Sequence, residues 1–323
     1  MSKKDAYIYY SAATDITGKK LQESLGIEGG NKMPTGKKLV IGWGAKTKED
    51  INFPKGTKVL NHPNYIRTNR NKFEATRTMA SKLNKKGKTV IPNLFTADEV
   101  KDAIAIGRVS FPLIGRRKYH QGGKGFWDCP TMAQLDAAIS DGAHHFQKII
   151  SVRDEYRLHV FNGEVIHTVK KVKRTNEEFE KAFIEDELAR QKVLAEKNGN
   201  AFDEETALLI LRRQAKNATA GGANMLLRSN RLGWKFSIVK KCSDDLTKVA
   251  IDAVKALNLD FGAVDCCVDT DGNPYVYEVN TGPGLEATSF DKYVEAFEKV
   301  LQREKKETKR STKKDTTVKE DDS

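Results

Sequence analysis

The feature that most constrains the fold is a pair of apolar segments near the C-terminus, joined by a short polar stretch. The segments are Phe261–Val268 and Tyr275–Asn280, and the six residues between them are mostly turn formers. Apolar, β-branched and aromatic residues on both sides of such a stretch predict a β-hairpin. If the turn is centred between the third and fourth of those six residues, Asp265 lies directly opposite Glu278.

Three oxygen-bearing side chains share one face of this predicted hairpin. Side chains alternate along a strand, so Glu278 and Asn280 point to the same face, which Asp265 shares across the pair. Two carboxylates this close repel each other unless a cation lies between them. Oxygen ligands suit a hard ion such as Mg²⁺, which completes its shell with waters and substrate phosphates. The pattern therefore favours a magnesium site, with a solvated polar edge of a hairpin as the alternative.

Positive charge is concentrated in the first part of the 323-residue chain. Residues 1–130 carry 25 Lys/Arg against 11 Asp/Glu, although the net charge of the whole chain is only +12. A basic excess of this kind can meet nucleic acid, an acidic protein or the phosphates of a nucleotide. Charge alone leaves the choice among these partners open.

The composition is that of a soluble protein in a reducing compartment. No apolar segment approaches the roughly 18 residues of a membrane span, and the N-terminus lacks the apolar segment of a signal peptide. The four cysteines show no paired metal-ligand spacing, and we expect all of them to be reduced: Cys129, Cys242, Cys266 and Cys267. We therefore expect a cytoplasmic protein without membrane association.

The order of predicted elements divides the chain into four parts. Residues 1–66 alternate strands with a short helix, which predicts a small Rossmann-like α/β domain with a parallel sheet. Residues 67–146 and 147–302 mix strands and helices in an α+β arrangement, and the charged, Gly- and Pro-poor segment 175–216 predicts an inserted pair of helices. Residues 303–323 are polar and nearly free of apolar side chains, so we expect them to be disordered.

A glycine-rich stretch follows a predicted strand that ends in two arginines. The stretch comprises Gly122, Gly123, Lys124 and Gly125. Glycine allows backbone N–H groups to approach phosphates closely, so the stretch is a candidate phosphate-binding loop. It lacks the GxxxxGK[ST] pattern of a Walker A loop, and a flexible hairpin tip is the alternative.

The predicted strand over residues 155–161 has a basic face. Strand alternation places Arg157 and His159 on one side and Leu158 and Val160 on the other. The basic side is a candidate platform for a phosphate or a carboxylate. A solvated face is the alternative.

Taken together, these features resemble the ATP-grasp superfamily. The strongest match is Ala256–Asp265 together with Tyr277–Gly284, which looks like the Mg²⁺-binding end of that family. The similarity covers residues 60–300, and residues 1–60 match only as the preceding domain. Within the superfamily the chain most resembles the RimK-like amino-acid ligases, which add an amino acid to a peptide or protein carboxylate.

The resemblance assigns functional positions in this chain. Asp265, Glu278 and Asn280 would hold two Mg²⁺ ions, with Mn²⁺ as a substitute, that bridge the ATP phosphates. The positions that would bind ATP are Lys72, Arg116, Gly122, Gly123, Lys124, Gly125, Gln147, Lys148, Ile149, Asp154 and Glu155. The positions that would act on the reacting groups are Arg157, Lys171, Arg228 and Asn230. The last three match less well, because the helical insertion shifts the spacing.

Two positions depart from the family pattern. Arg116 stands where the family usually has a Lys at the end of the strand before the glycine loop, and it keeps the positive charge. Lys148 stands where the family often has a Glu. Adenine is expected to meet the backbone of residues 147–149, so the side-chain change does not remove the expected contact. Either Asp154 or Glu155 would take the ribose hydroxyls.

The resemblance implies an ATP-dependent carboxylate–amine ligase. A carboxylate attacks the γ-phosphate to give an acyl-phosphate and ADP, and an amine then displaces phosphate. The expected acceptor is a peptide or an acidic protein tail. One alternative is an ATP-grasp phosphotransferase acting on a hydroxyl. Another is a nucleic-acid-binding protein that uses the basic N-terminal part, although the aromatic residues show no base-stacking motif.

Overall fold

The computed structural model describes residues 2–118, 125–222, 225, 228 and 230–317. The helices are α1 (Ile16–Leu25), α2 (Pro63–Arg70), α3 (Lys72–Leu83), α4 (Val100–Ala105), α5 (Met132–Ser140), α6 (Asn176–Asn198), α7 (Glu204–Thr219), α8 (Asp244–Ala256) and α9 (Ala287–Thr317). The strands are β1 (Ala6–Tyr10), β2 (Glu28–Gly30), β3 (Leu39–Trp43), β4 (Lys58–Leu60), β5 (Phe95–Thr96), β6 (Leu113–Arg116), β7 (Phe126–Cys129), β8 (His145–Lys148), β9 (Val152–Phe161), β10 (Glu164–Lys173), β11 (Trp234–Ile238), β12 (Phe261–Asp269) and β13 (Pro274–Asn280).

The chain forms two compact units. One contains the described residues up to 118, residues 125–168 and the chain from Lys240 onward, and the other contains Val169–Val239. The first unit holds most of the candidate functional residues. No helix in the described ranges combines the length and the apolar character needed to cross a membrane.

The N-terminal sheet of the first unit is parallel, as expected from the alternation of strands and helix. Its strand order is β2-β1-β3-β4. The helix α1 begins at Asp15, whose carboxylate accepts a hydrogen bond from the Gly18 N–H at 2.8 Å, and it ends at Gly26, which has the left-handed φ of 60°. This arrangement places the carboxyl ends of β1 and β3 side by side.

A second sheet of the first unit has the strand order β5-β8-β6-β7 and is antiparallel. Its core contains Leu113, Cys129, Leu135 and Phe146, all fully buried. The strands β6 and β7 pair directly.

The third sheet carries the candidate site. In the first unit its order is β10-β9-β12-β13, with β12 buried along its whole length. Alternate residues of β12 serve different faces. Val264, Cys266 and Val268 pack in a core shared with α8, whereas Phe261 packs in an aromatic core shared with Tyr293 of α9.

The second unit contains the predicted helical insertion. The helices α6 and α7 pack against each other, and the second half of β10 pairs with β11. A capping box between Thr175 and Glu178 begins α6, and the Asp203 side chain caps α7. The helical pair predicted within residues 175–216 is therefore confirmed.

The helix α9 continues through residues 303–317, in the segment for which the sequence predicts disorder. Lys, Arg, Glu and Gln are good helix formers, and extending an existing helix needs no new nucleus. A lack of apolar side chains therefore did not prevent helix formation here. Residues 318–323 lie outside the described residues.

Candidate functional site

The predicted pairing of Asp265 with Glu278 is present in the hairpin of β12 and β13. Nearer the turn the pairing is offset by one residue, and Tyr277 is the extra residue on β13. Such a β-bulge opposes two residues to one. The predicted turn centre was therefore wrong, because the register beside the turn is centred on Asp271 and the bulge restores the predicted pair.

Asp265, Glu278 and Asn280 meet on one face of this hairpin. The Asn280 Nδ2 donates to Glu278 Oε1 at 2.9 Å and to Asp265 Oδ2 at 3.4 Å. Asp265 is buried because β12 lies between β9 and β13. The convergence predicted from strand alternation is confirmed, and the role of these groups in metal binding stays a prediction.

Arg157 of β9 forms a two-pronged ion pair with Asp265, its direct cross-strand partner. The Arg157 Nε lies 2.6 Å from Asp265 Oδ1, and Nη2 lies 2.8 Å from Oδ2. Burial would lower the pKa of Arg157, but the adjacent carboxylate raises it above its ordinary value. Arg157 is therefore charged, and it occupies both oxygens of Asp265.

Lys72 brings a second cation to this face from the first turn of α3. Its Nζ lies 3.4 Å from Glu278 Oε2, 3.5 Å from Asn280 Oδ1 and 3.3 Å from the Val279 carbonyl oxygen. The Asn71 side chain caps α3 and fixes where the helix begins. Burial would raise the pKa of Glu278, but Lys72 and the other nearby donors and cations outweigh it and lower that pKa to about 2.

Arg116, at the end of β6, is a third cation near Glu278. Its guanidinium carbon lies 4.9 Å from the centroid of the Phe126 ring, and its buried Nε has no hydrogen-bond partner in the described part of the chain. Burial lowers the pKa of Arg116, and the Glu278 charge partly offsets this. A buried cationic donor without a partner is well suited to an anion.

The two ribose candidates differ in position on β9. Glu155 is buried and shares the face of Arg157, since the two are separated by one residue. Asp154 points to the other side, where the Arg153 Nε lies 3.1 Å from its Oδ2. Strand alternation therefore favours Glu155 over Asp154 as a contributor to this face.

Cys267 and Tyr277 also lie beside Glu155, although no pattern in the sequence singles them out. Cys267 is the cross-strand partner of Glu155, and its Sγ lies 3.0 Å from the Tyr277 hydroxyl. Burial raises the pKa of Tyr277, so the phenol is neutral. The bulge at Tyr277 brings it to this position, and single-sequence patterns do not reveal bulges.

The residues expected to contact adenine lie at the end of β8. Gln147 is buried and pairs with Ile114, whereas Lys148 is exposed. The Ile149 N–H donates to the Pro112 carbonyl at 3.0 Å. That N–H is therefore engaged within the protein, and adenine recognition by residues 147–149 stays a prediction.

Part of the predicted phosphate loop lies outside the described residues, namely Gly122, Gly123 and Lys124. Gly125 is described, and it adopts a φ of 72°. Its carbonyl accepts a hydrogen bond from the Arg117 N–H at 3.1 Å, which closes the base of the hairpin. Covering of phosphates by this loop stays a prediction.

Three further predicted residues lie in the second unit. The Lys171 Nζ lies 5.8 Å from the Phe236 ring centroid, and the Arg228 guanidinium carbon lies 4.6 Å from that of Trp234. Asn230 begins a short 3₁₀ turn. Action of Lys171, Arg228 and Asn230 on the reacting groups stays a prediction.

Beyond Arg157 the same face of β9 continues into an aromatic cluster. His159 lies 5.6 Å from Tyr293, and Tyr293 lies 5.2 Å from Trp43, measured between ring centroids. All three are buried, and His159 Nδ1, Tyr293 Oη and Trp43 Nε1 have no hydrogen-bond partner within the described ranges. Burial, with help from Arg157 and His167, lowers the pKa of His159 to about 3.

The donors on the acidic face fit a hard divalent cation. They are two carboxylates and one amide oxygen, and the described residues contain no group of three or more His, Cys, Asp or Glu side chains arranged for a metal. Mg²⁺ accepts such a small oxygen set when waters or substrate phosphates supply the rest. Asp265, Glu278 and Asn280 are therefore the residues that could hold it.

Comparison with known proteins finds similarity to ATP-grasp proteins in a family model and in solved structures that cover most of the chain. Residues 212–303 match the family model of the RimK-like ATP-grasp domain. The crystal structure of D-alanine–D-alanine ligase from Bacillus anthracis superposes with a TM-score of 0.56 at 13% identity, covering 94% of this chain and 98% of that chain. The chain has the ATP-grasp fold.

Two further structures, each bound to a precursor, also superpose on most of this chain. Macrocyclase MdnC from Microcystis aeruginosa MRC, bound with precursor peptide MdnA, gives a TM-score of 0.54 at 10% identity and covers 92% of this chain and 99% of that chain. ATP-grasp ligase PsnB complexed with minimal precursor, Mg and ADP gives a TM-score of 0.53 at 12% identity. The match covers 88% of this chain and 92% of that chain. A search of curated protein sequences found no match.

Proposed function

We propose that this chain is an ATP- and Mg²⁺-dependent carboxylate–amine ligase that joins an amino acid to a peptide or protein carboxylate through an acyl-phosphate. The observation that carries the proposal is the face on which Asp265, Glu278 and Asn280 meet Arg157 and Lys72. Carboxylates suit a metal ion, and the cations suit phosphate. The ATP-grasp fold supports ATP as the substrate that brings both together.

The chemistry requires two displacements. An oxygen of the substrate carboxylate attacks the γ-phosphorus of ATP, and the bond from that phosphorus to the β,γ-bridging oxygen breaks, so ADP leaves. The amine nitrogen then attacks the acyl carbon of the acyl-phosphate, and the bond from that carbon to the phosphate oxygen breaks. The amine loses a proton, and the products are an amide, ADP and phosphate.

The protein contributes mainly position and charge. Arg157, Lys72 and Arg116 would bind and orient the phosphate oxygens, and the negative charge that develops there is stabilised by fixed cations. Asp265, Glu278 and Asn280 would hold the Mg²⁺, which when bound neutralises phosphate charge. The cations and carboxylates of this face suffice for both displacements, so the proposal needs no side-chain nucleophile.

A peptide or protein acceptor is supported by two findings. The family model that matches residues 212–303 describes a RimK-like domain, and two of the similar structures are bound to precursor peptides. The excess of basic residues within residues 1–130 is compatible with an acidic acceptor.

Nucleotide turnover in defined mixtures tests the proposal. We expect ADP and a condensed product when the protein is incubated with ATP, Mg²⁺, amino acids and acidic peptides. Glu278→Gln should lower the rate of ADP formation by about 10³-fold, because loss of metal binding removes several kcal/mol of transition-state stabilisation. Asp136→Asn, which removes an exposed carboxylate paired with Lys101, is the matched control and should keep full activity.

Each other outcome favours a different function. A phosphorylated product without condensation would indicate a phosphotransferase. Full activity of Glu278→Gln would contradict the metal assignment. Salt-sensitive binding of DNA or RNA without any ADP formation would replace the ligase with a nucleic-acid-binding function.

A further inference from the structure

All four carboxylate oxygens of the candidate metal site face a donor from the protein. Arg157 contacts both oxygens of Asp265, at 2.6 Å and 2.8 Å. Lys72 lies 3.4 Å from Glu278 Oε2, and the Asn280 Nδ2 lies 2.9 Å from Glu278 Oε1. A metal ion that binds these oxygens must therefore displace donors that already occupy them.

The charge at the site makes displacement by the metal alone unfavourable. Asp265 and Glu278 are balanced by Arg157 and Lys72, and the charge of Arg116 near Glu278 is matched by that of buried Glu155 beside Arg157. A bare divalent cation would therefore enter a site whose carboxylates are already neutralised by protein cations. At low dielectric the cost of separating these ion pairs is large.

A nucleoside triphosphate removes both obstacles, because it brings negative charge and many acceptor oxygens. Arginine and lysine bind phosphate oxygens as readily as carboxylates. Lys72 sits at the first turn of α3 on a flexible stem, and Arg157 projects from the centre of β9. Both side chains can therefore turn toward a phosphate without a change in the backbone.

We propose that Arg157 and Lys72 are exchange partners of the metal-site carboxylates. They hold Asp265 and Glu278 in the nucleotide-free protein and transfer to phosphate oxygens when ATP binds, so that metal binding requires nucleotide. This inference rests on the proposed function, which identifies ATP as the ligand. It gives Arg157 two successive partners, a carboxylate first and a phosphate second.

Binding of Mn²⁺ alone, followed by electron paramagnetic resonance of the free ion, tests the exchange. In the wild-type protein we expect weak binding. Arg157→Gln should bind Mn²⁺ at least tenfold more tightly, because it removes the charged donors on both oxygens of Asp265 and one positive charge. Lys72→Met should show a smaller gain of about threefold, since Lys72 contacts its carboxylate at a longer distance.

The same variants should bind nucleotide less well. In the presence of Mn²⁺, Arg157→Gln should bind a nonhydrolysable ATP analogue at least tenfold more weakly than wild type. Opposite changes for metal and nucleotide are the signature of exchange, and a residue with a purely structural function would weaken both. Arg153→Gln and Arg77→Gln remove exposed arginines from β9 and α3, and as matched controls they should change neither affinity.

The exchange is overturned if folded Arg157→Gln binds Mn²⁺ no more tightly than wild type. If that variant does not fold, Arg157→Lys serves instead. It keeps the charge but loses the two-pronged contact, so we expect a gain of about threefold, and no gain would overturn the exchange. If the wild-type protein binds no ATP analogue, the proposed function fails and the transfer to phosphate fails with it, whereas a protein that binds the analogue but shows no gain of Mn²⁺ affinity in Arg157→Gln loses the exchange alone.

Discussion

The strand β12 buries polar groups at two points, and the two points are built differently. At its start, Asn61 donates to the Phe261 carbonyl at 2.9 Å and accepts from the N–H groups of Asp260 and Phe261 at 2.8 Å and 3.1 Å. In its middle, Asp265 is held by the long side chain of Arg157. The first point uses backbone partners, and the second uses a side chain that can move.

This difference separates a structural contact from a functional one. Backbone groups of a strand cannot turn to another ligand without breaking the sheet, so the Asn61 contacts can only stabilise the fold. A buried ion pair gains little net stability, because desolvation cancels most of its attraction. The Arg157–Asp265 pair therefore adds little stability, and its proposed function is to release Arg157 to a phosphate and Asp265 to a metal ion.

The largest effect on stability is expected at Asn61. Asn61→Ala should lower the free energy of unfolding by about 4 kcal/mol, because three backbone groups lose their partners and two of them belong to fully buried Phe261. Asn61 also has a φ of 53°, which adds about 1 kcal/mol of strain for alanine. Urea unfolding followed by circular dichroism measures the change.

Asn162→Ala is the matched control for the backbone part of this effect. Asn162 has a φ of 48° in an exposed turn, so alanine there should cost only about 1 kcal/mol. Equal losses for the two variants would show that the Asn61 side-chain hydrogen bonds contribute nothing. That result would remove the contrast with Asp265.

A smaller loss of stability is expected at Asp265, and a second substitution should restore part of it. Asp265→Asn should lower the free energy of unfolding by about 3 kcal/mol, because the Arg157 guanidinium loses the charged carboxylate that accepts two of its hydrogen bonds. Adding Arg157→Gln should restore more than half of that loss, since both charges are then absent. If the double variant is as unstable as the single one, the pair is structural, like the contacts of Asn61.

The parts of the fold that the sequence predicts are those governed by local patterns. The β12–β13 hairpin and the helices α6 and α7 follow from strand alternation and helix propensity within short windows. The convergence of Asp265, Glu278 and Asn280 follows from the same alternation. The parallel N-terminal sheet follows from the order of elements.

The parts that it does not predict depend on local exceptions or on distant neighbours. The strand β2 contains two glycines, and α2 is capped by His62 in place of the usual Ser, Thr, Asp or Asn, so neither matches a typical pattern. The ion pair of Arg157 with Asp265 joins residues 108 positions apart. A single sequence gives the residue types of such a pair but not its distance.

His159 is a third buried polar group, and its ring Nδ1 has no hydrogen-bond partner in the described part of the chain. Its contribution to stability depends on pH. It pairs with Ala263 on β12, and burial, with Arg157 and His167 nearby, lowers its pKa to about 3 from 6.5. In the unfolded chain His159 takes up a proton below pH 6.5, whereas the folded protein excludes that proton until about pH 3. Stability is therefore lost as the pH falls through this window.

The size of this effect follows from the two pKa values. Between pH 7 and pH 5 the free energy of unfolding should fall by about 2 kcal/mol through His159 alone. His159→Gln should remove that part of the pH dependence, as measured by urea unfolding at several pH values. His167→Gln is the control and should remove less, because His167 is only half-buried. An unchanged pH dependence in His159→Gln would mean that His159 is protonated when folded, so that Arg157 would share its face with a second buried cation.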